Sequence, residues 1–343
     1  MKYIKKLTKA REASSFLFLI VLFAIVGCIN VNFLAPSSIA ACFNDSVVFT
    51  LLAVGMAFAI FIGEIDVSVG ANLGFTASVV GSLLRDGHNW LFCFAVGILI
   101  GAVIGLINGW GVAVLNIPSL IFTLGTNGVL RGLIYVYTDG AWVENLPASF
   151  TAFASKPLIG DLTVFYTVAL AAVIGIHILL TRTKRGKYFI AVGDNVNGAI
   201  LVGIPTMWTK IGAYVLCGIF AAVASILYAS RIGFITAIAG NGYEMKAIAA
   251  CVIGGISLSG GLGSVIGASI GAVIMSSVSR ILVFMGFSSD YDNTITGVML
   301  ITIVVLDALM QRHAAERIRR ERLRARASGT AGGSVSTEGG EQA

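Results

Sequence analysis

The sequence predicts an all-α, polytopic membrane protein with about ten transmembrane helices, a broken or re-entrant segment among them, and both termini cytoplasmic. Three observations carry that prediction. The 343 residues are 57% hydrophobic and 12% charged, with a mean hydropathy of +0.92; a soluble domain carries about twice that charged share. Apolar runs recur along nearly the whole chain, each near the roughly 20 helical residues that cross a hydrocarbon core. Finally, the basic residues gather in three clusters that one topology puts on a single side.

The first run, 15–34, follows Lys2, Lys5, Lys6, Lys9 and Arg11. Its Ile25-Val26-Gly27-Cys28 has the form of a lipoprotein cleavage box, but the apolar run continues to Leu34 and many more follow, so an uncleaved first helix is expected. Further spans are expected near 46–62, 69–84, 90–115 and 118–137, with Pro118 suited to the first turn of the last of these. The remaining spans fall near 163–180, 211–229, 246–259, 263–284 and 294–310. The eighth is the weakest, because Gly254, Gly255, Gly260 and Gly261 crowd its end.

The second basic cluster, Arg182, Lys184, Arg185, Lys187 and Lys210, and the third, from Arg312 to Arg326, share a side with the first if six spans separate the first two and four the last two. The opposite loops carry Asp139, Glu144, Asp161, Asp290 and Asp292. The chain thus divides into a basic N-terminus (1–14), a transmembrane domain (15–310) containing a cytoplasmic loop (181–210), a basic segment (311–326) read as a topology anchor, and a polar, Gly-rich tail (327–343) expected to be disordered.

Glycine is abundant, at 41 residues, and in a bilayer small residues let helices approach closely enough for dispersion forces to hold them. Cys28, Cys42, Cys93, Cys217 and Cys251 are odd in number and lack metal-type spacing, which reads as free, buried thiols.

No phosphate-loop motif is present, and His88, His177 and His313 lie far apart, with His177 expected at a helix interface. No metal site, nucleophile–base pair or nucleic-acid partner is indicated, so transport is the leading class and no cofactor is expected on this chain. Arg131, Arg280 and Asp307 lie near span ends, where snorkelling would accommodate them.

Two stretches stand out. In 63–70, GEIDVSVG, apolar and polar residues alternate between bracketing glycines. Such a segment is tolerated at membrane depth only where protein covers it or water lines it. Asp66 is read as a cap on the following helix, as an acceptor ordering the break, or, with Glu64, as a proton carrier. A related pattern, Gly-x-Ile-x-x-Ser-x-Gly, recurs from Gly254. The polar Ser68, Asn108, Ser119, Thr123, Thr126 and Asn127 are candidates, with Asp66, to line a substrate route. Glu244 and Lys246 either pair with each other or contact an external protein. In the loop 181–210, Asp194 or Asn195 can cap a short helix over 196–202 that Gly203 and Pro205 terminate. Such a structured loop suits receipt of force from a cytoplasmic partner.

Over roughly residues 15–310 the chain resembles the permease subunits of ribose-type ABC importers. The resemblance rests on 63–70, on NGWGVAVLNIPSLIFTLGT (108–126) with Arg131-Gly132, on GDNVNGAILVGI (193–204) and on NGYEMKAIAACVIGGISLSGGLGSVIG (241–267). DGAWVENLP (139–147), GDN and YEMKAIAACVIGGISL look most like the autoinducer-2 permease subunits within that family. Glu64 departs from the family pattern, which has glycine there, and Asn197-Gly198-Ala199 stands where the family often has Glu and Ala-Ala. The resemblance implies a bacterial inner-membrane permease, paired with an identical or homologous second permease. It also implies two cytoplasmic ATPases that bind ATP and Mg, and an external binding protein delivering a sugar-like solute. It places Gly193, Asp194, Asn195, Ala199, Gly203 and Ile204 in the ATPase-coupling helix and leaves Glu244 as a candidate binding-protein contact. The alternative is a proton-coupled secondary transporter using Glu64 and Asp66.

Overall fold

The computed structural model describes residues 11–288, 291–302, 304–305 and 309. The expectations for 1–10, Asp307, 311–326 and 327–343 fall outside those residues. The chain divides into two compact units, Met1–Leu300 and Ile301–Ala343; the described residues of the second, 301, 302, 304, 305 and 309, are helical.

The first unit is built almost wholly of helices: α1 (Arg11–Ile29), a 3-10 turn (Val31–Leu34), α2 (Pro36–Asp45), α3 (Val47–Phe61), α4 (Val69–Arg85), α5 (Trp90–Ala113), α6 (Ser119–Thr138) and α7 (Ala148–Ala154). A small antiparallel hairpin follows, β1 (Pro157–Ile159) with β2 (Leu162–Thr163). Then come α8 (Val164–Arg182), α9 (Lys184–Asp194), α10 (Val196–Leu201), α11 (Thr206–Ile232), α12 (Tyr243–Ile253) and α13 (Val265–Phe284). Residues 291–300 are helical as well.

By length and composition α5, α6, α8, α11 and α13 can each cross a membrane, and α2 with α3, bent by 43°, makes a sixth candidate. Helices stand at each of the ten expected positions, but they are not ten full-length spans. α12 has 11 residues, about 16 Å at 1.5 Å per residue, because Gly254 and the left-handed Gly255 end it early.

Every residue of α3 is buried, as expected of a helix apolar on all sides at the centre of a bundle. Around it pack α11, α12 and α13. The glycines explain how closely. Gly97, Gly101, Gly105 and Gly109 recur at helical spacing along α5. Gly101 and Gly105 meet the backbone of α11 so closely that a Cβ on Gly101 would lie 2.6 Å from Ala222 Cβ and one on Gly105 2.7 Å from Val215 Cα. The outer faces of α1, α5, α6 and α8 expose Phe16, Leu99, Leu124 and Val168, apolar surface that water would not favour and lipid does.

At the end of the bundle where α2 meets α3, Asp45 pairs with both Arg231 of α11 and Arg280 of α13. Arg280 Nε donates to Asp45 Oδ2 at 2.9 Å and Arg231 Nη1 to the Asn44 carbonyl at 2.9 Å. Arg280 is therefore held by an interhelical carboxylate rather than snorkelling. Arg131 is likewise engaged inside the bundle, donating to the Ala239 carbonyl at 2.6 Å. Of the cysteines, Cys42, Cys93, Cys217 and Cys251 are buried and free, while Cys28 is free and exposed, correcting the expectation that all five are buried. His177 is half-buried on α8.

Candidate functional site at the break after α3

α3 ends because Gly63 takes a left-handed conformation (φ 78°), which glycine adopts without a Cβ penalty. The Gly63 amide donates to the Ile60 carbonyl at 2.9 Å and the Glu64 amide to the Ala59 carbonyl at 3.0 Å, closing the helix. The next few residues form no helix until Val69.

That break is held from both sides by side chains. On the α6 side, the Val67 amide donates to Thr123 Oγ1 at 3.1 Å, the Ile65 amide to Ser119 Oγ at 3.4 Å, and Asn127 Nδ2 to the Val67 carbonyl at 2.8 Å. On the α5 side, Asn108 Nδ2 donates to Ser68 Oγ at 2.8 Å and, more weakly, to the two Asp66 oxygens at 3.3 and 3.4 Å. Thr126 Oγ1 donates to Asn108 Oδ1 at 2.7 Å, fixing the orientation of that amide. The expected route residues Asp66, Ser68, Asn108, Ser119, Thr123, Thr126 and Asn127 thus form one network. Asp66, Ser68, Asn108 and Thr123 are each at most 1% exposed. In this conformation they fasten the break rather than line an open passage.

Asp66 is not the cap of α4. Ser68 occupies the N-cap position, without a side-chain capping bond. Asp66 Oδ1 instead accepts from the Ser68 amide at 2.9 Å and the Ser68 hydroxyl at 2.6 Å, so the carboxylate orders the break itself. Glu64 accepts from Lys210 Nζ at 2.7 Å. A sealed, multiply bonded Asp66 and an ion-paired Glu64 are held in place by their partners, unlike carriers that must reach two sides. Nothing in the sequence marks Lys210 as Glu64's partner: 146 positions separate them, and no local pattern joins residues so distant.

The segment 181–210 is more helical than its reading as a loop with one short helix. Thr183 caps α9, accepting from the Gly186 amide at 3.0 Å, and α9 runs to Asp194. Gly193 and Asp194 therefore end one helix, and Asn195 alone begins the next, accepting from the Gly198 amide at 2.9 Å. α10 stops where Gly203 turns left-handed (φ 79°) and the Ile204 amide returns to the Ala199 carbonyl at 3.0 Å. Ala199 faces inward, whereas Ile200, Leu201 and Val202 are 55%, 88% and 75% exposed. Val196 on α10 and Trp208 at the start of α11 are exposed as well.

Gly193, expected in the coupling helix, lies in the last turn of α9 and permits a close approach there. A Cβ there would strike the Phe61 carbonyl oxygen and lie 2.6 Å from the Gly261 amide nitrogen. Gly261 in turn donates to the Phe61 carbonyl at 3.0 Å. The two stretches sharing Gly-x-Ile-x-x-Ser-x-Gly therefore meet: a Cβ on Gly260 would lie 2.7 Å from the Gly63 nitrogen and 3.0 Å from Gly193 Cα.

Glu244 is 8% exposed and packs on Gly70, so it is not a surface contact for another protein in this conformation. It does not pair with Lys246, which is bonded to Asp292. Among the described residues no group of three His, Cys, Asp or Glu side chains could hold a metal ion.

Residues 38–304 match the family model described as branched-chain amino acid transport system / permease component. The autoinducer 2 import system permease protein LsrC of Yersinia pseudotuberculosis serotype O:1b (strain IP 31758) is 37% identical over 319 residues, 93% of this chain and 91% of that protein. The protein of the same name from Yersinia pestis (strain Pestoides F) is also 37% identical over 319 residues, with the same coverage. No solved structure matches the chain. The match spans the break, the helical segment 184–201 and the α12–α13 pair together, and the chain belongs to the branched-chain amino acid transport system / permease component family as a multi-pass membrane protein.

Proposed function

We propose that this protein is the membrane-spanning subunit of an ATP-driven importer for autoinducer 2 or a related sugar-like solute. The observation that carries this reading is the apolar tip of α10. Ile200, Leu201 and Val202 project from a capped helix flanked by Arg182, Lys184, Arg185 and Lys187, outside the helices apolar enough to span. A short helix with its apolar side chains outward is a docking surface without its partner, and the partner proposed is an ATPase subunit that binds ATP and Mg. The basic clusters support a topology with both termini and α9–α10 on the cytoplasmic side of the inner membrane. A ten-crossing arrangement then treats α4 and α12 as short crossings covered by their neighbours. A second permease, identical or homologous, and an external binding protein complete the assembly; hydrolysis belongs to the ATPase. The LsrC names of the relatives support autoinducer 2 as the solute.

Uptake tests the reading. A strain lacking this gene is given autoinducer 2, ribose or rhamnose, and removal from the medium is followed with and without a protonophore while cellular ATP is maintained. The proposal expects loss of removal of one of these solutes on deletion, and removal that survives the protonophore in the complemented strain. Removal abolished by the protonophore at constant ATP would contradict it.

A further inference from the structure

Glu64 occupies the position where the resembling family carries glycine, and the structure gives that departure a partner. Lys210, in the second turn of α11 and just beyond α10, donates to Glu64 Oε1 at 2.7 Å, with 21% and 19% of the two side chains exposed. The pair is therefore largely shielded from solvent, where screening is weak. We infer that Glu64 and Lys210 are positioning residues, forming a tie that hands movement of the 184–210 segment to the break after α3. The inference rests on the ATP-driven permease reading above.

Two contacts give the tie its mechanics. One is a seat: Gly193, lacking a side chain, lies against the Phe61 carbonyl that the Gly261 amide also binds. The other is the ion pair itself. With the segment seated at Gly193 on the last residue of α3 and its far end, Lys210, tied to Glu64, a tilt of α9–α10 turns about the seat and draws on Glu64. Glu64 has little freedom to yield. Its amide is bonded to Ala59, and the next residues are bonded to Ser119, Thr123 and Asn127 of α6 and, through Asp66 and Ser68, to Asn108 of α5. Displacement at Glu64 is thus shared with two spanning helices. Packed networks of this kind switch between discrete arrangements rather than stretching, and spatial continuity becomes coupling only when perturbing one end is seen at the other.

The experiment uses the complex purified from native membranes with its co-purifying ATPase. Amide hydrogen exchange is measured with and without a non-hydrolysable ATP analogue and Mg²⁺, in the wild type, Glu64→Gln, Lys210→Met and the charge swap Glu64→Lys with Lys210→Glu. The tie predicts a nucleotide-dependent change at 65–68 in the wild type. It is lost in both single variants while the change at 196–204 persists, and it returns in the swap. A change at 65–68 that is absent from the wild type, or equal in the wild type and the single variants, overturns the tie. If a single variant fails to assemble, the swap carries the test: a restored response supports the tie and an absent one overturns it. If no ATPase accompanies the wild type, the permease reading itself fails, and the tie with it.

Discussion

Asn108 of α5 turns its amide onto Asp66, 42 positions earlier in the chain, with Nδ2 3.3 Å from Oδ1 and 3.4 Å from Oδ2 and 2.8 Å from the Ser68 hydroxyl. Replacing the carboxylate by an amide puts a second N–H donor opposite the first, and Thr126 keeps Asn108 from flipping by bonding its oxygen. Asp66→Asn and Asn108→Leu are each expected to destabilise the protein by about 1–3 kcal/mol, the usual cost of a buried polar group left unsatisfied. Thermal unfolding in detergent checks this: both variants melt below the wild type, and an unchanged midpoint for both would show that the network contributes little.

The α5–α11 contact makes a sharper prediction, because it depends on what is missing. Gly105→Val places carbon where the backbone of α11 already lies, and overpacking costs about 1–3 kcal/mol or more. Gly125→Ala on α6 meets nothing within 4 Å. Yield and melting temperature in detergent should fall sharply for the first variant and stay at wild-type values or above for the second.

Gly193 and Gly198 lie five residues apart and should respond oppositely to alanine. At Gly193 the new methyl strikes the Phe61 carbonyl, so α9 must lift from its seat. At Gly198 its nearest neighbour is Asn195 Cγ at 3.3 Å, a side chain able to yield slightly, and removing an interior glycine favours a helix by up to about 1 kcal/mol. Hydrogen exchange across 193–204 is expected to speed up in Gly193→Ala and to slow in Gly198→Ala.

Asp45 serves two arginines from different helices. Asp45→Asn is expected to cost about 1–2 kcal/mol, toward the lower end for charged hydrogen bonds because the three side chains are between a quarter and a third exposed. The melting difference from the wild type should narrow as salt is raised, since partly exposed charges are screened.

Much of this arrangement was legible in the sequence because it is written in local terms. Apolar runs located the helices, Asn195 and Gly203 bounded α10, and the alternation in 63–70 marked the break. Seven polar residues singled out on α5 and α6 and in the break form one network. What the sequence left open depends on distance along the chain. Whether Asp66 caps a helix or orders a turn is decided by which amide its oxygen reaches. The partners of Glu64, Arg280 and Lys246 lie 146, 235 and 46 positions away, beyond any local pattern. Gly193, which the resemblance placed in the coupling helix, lies instead in the last turn of α9, where it permits a close approach to α3. The eighth span, expected over 246–259, stops at Ile253 for a simpler reason: the glycines that crowd its end terminate the helix.

On the function proposed above, α10 presents its apolar tip to an ATPase. The most direct test is a gentle detergent pull-down of the tagged protein, with every accompanying chain identified by mass spectrometry, repeated with Leu201→Asp. Leu201 is 88% exposed, so the substitution leaves the fold intact while placing a charge at the tip. A nucleotide-binding ATPase carrying the phosphate loop this chain lacks is expected with the wild type and is expected to be lost with Leu201→Asp. Recovery of the permease alone from wild-type membranes, or of equal ATPase with both proteins, would contradict it.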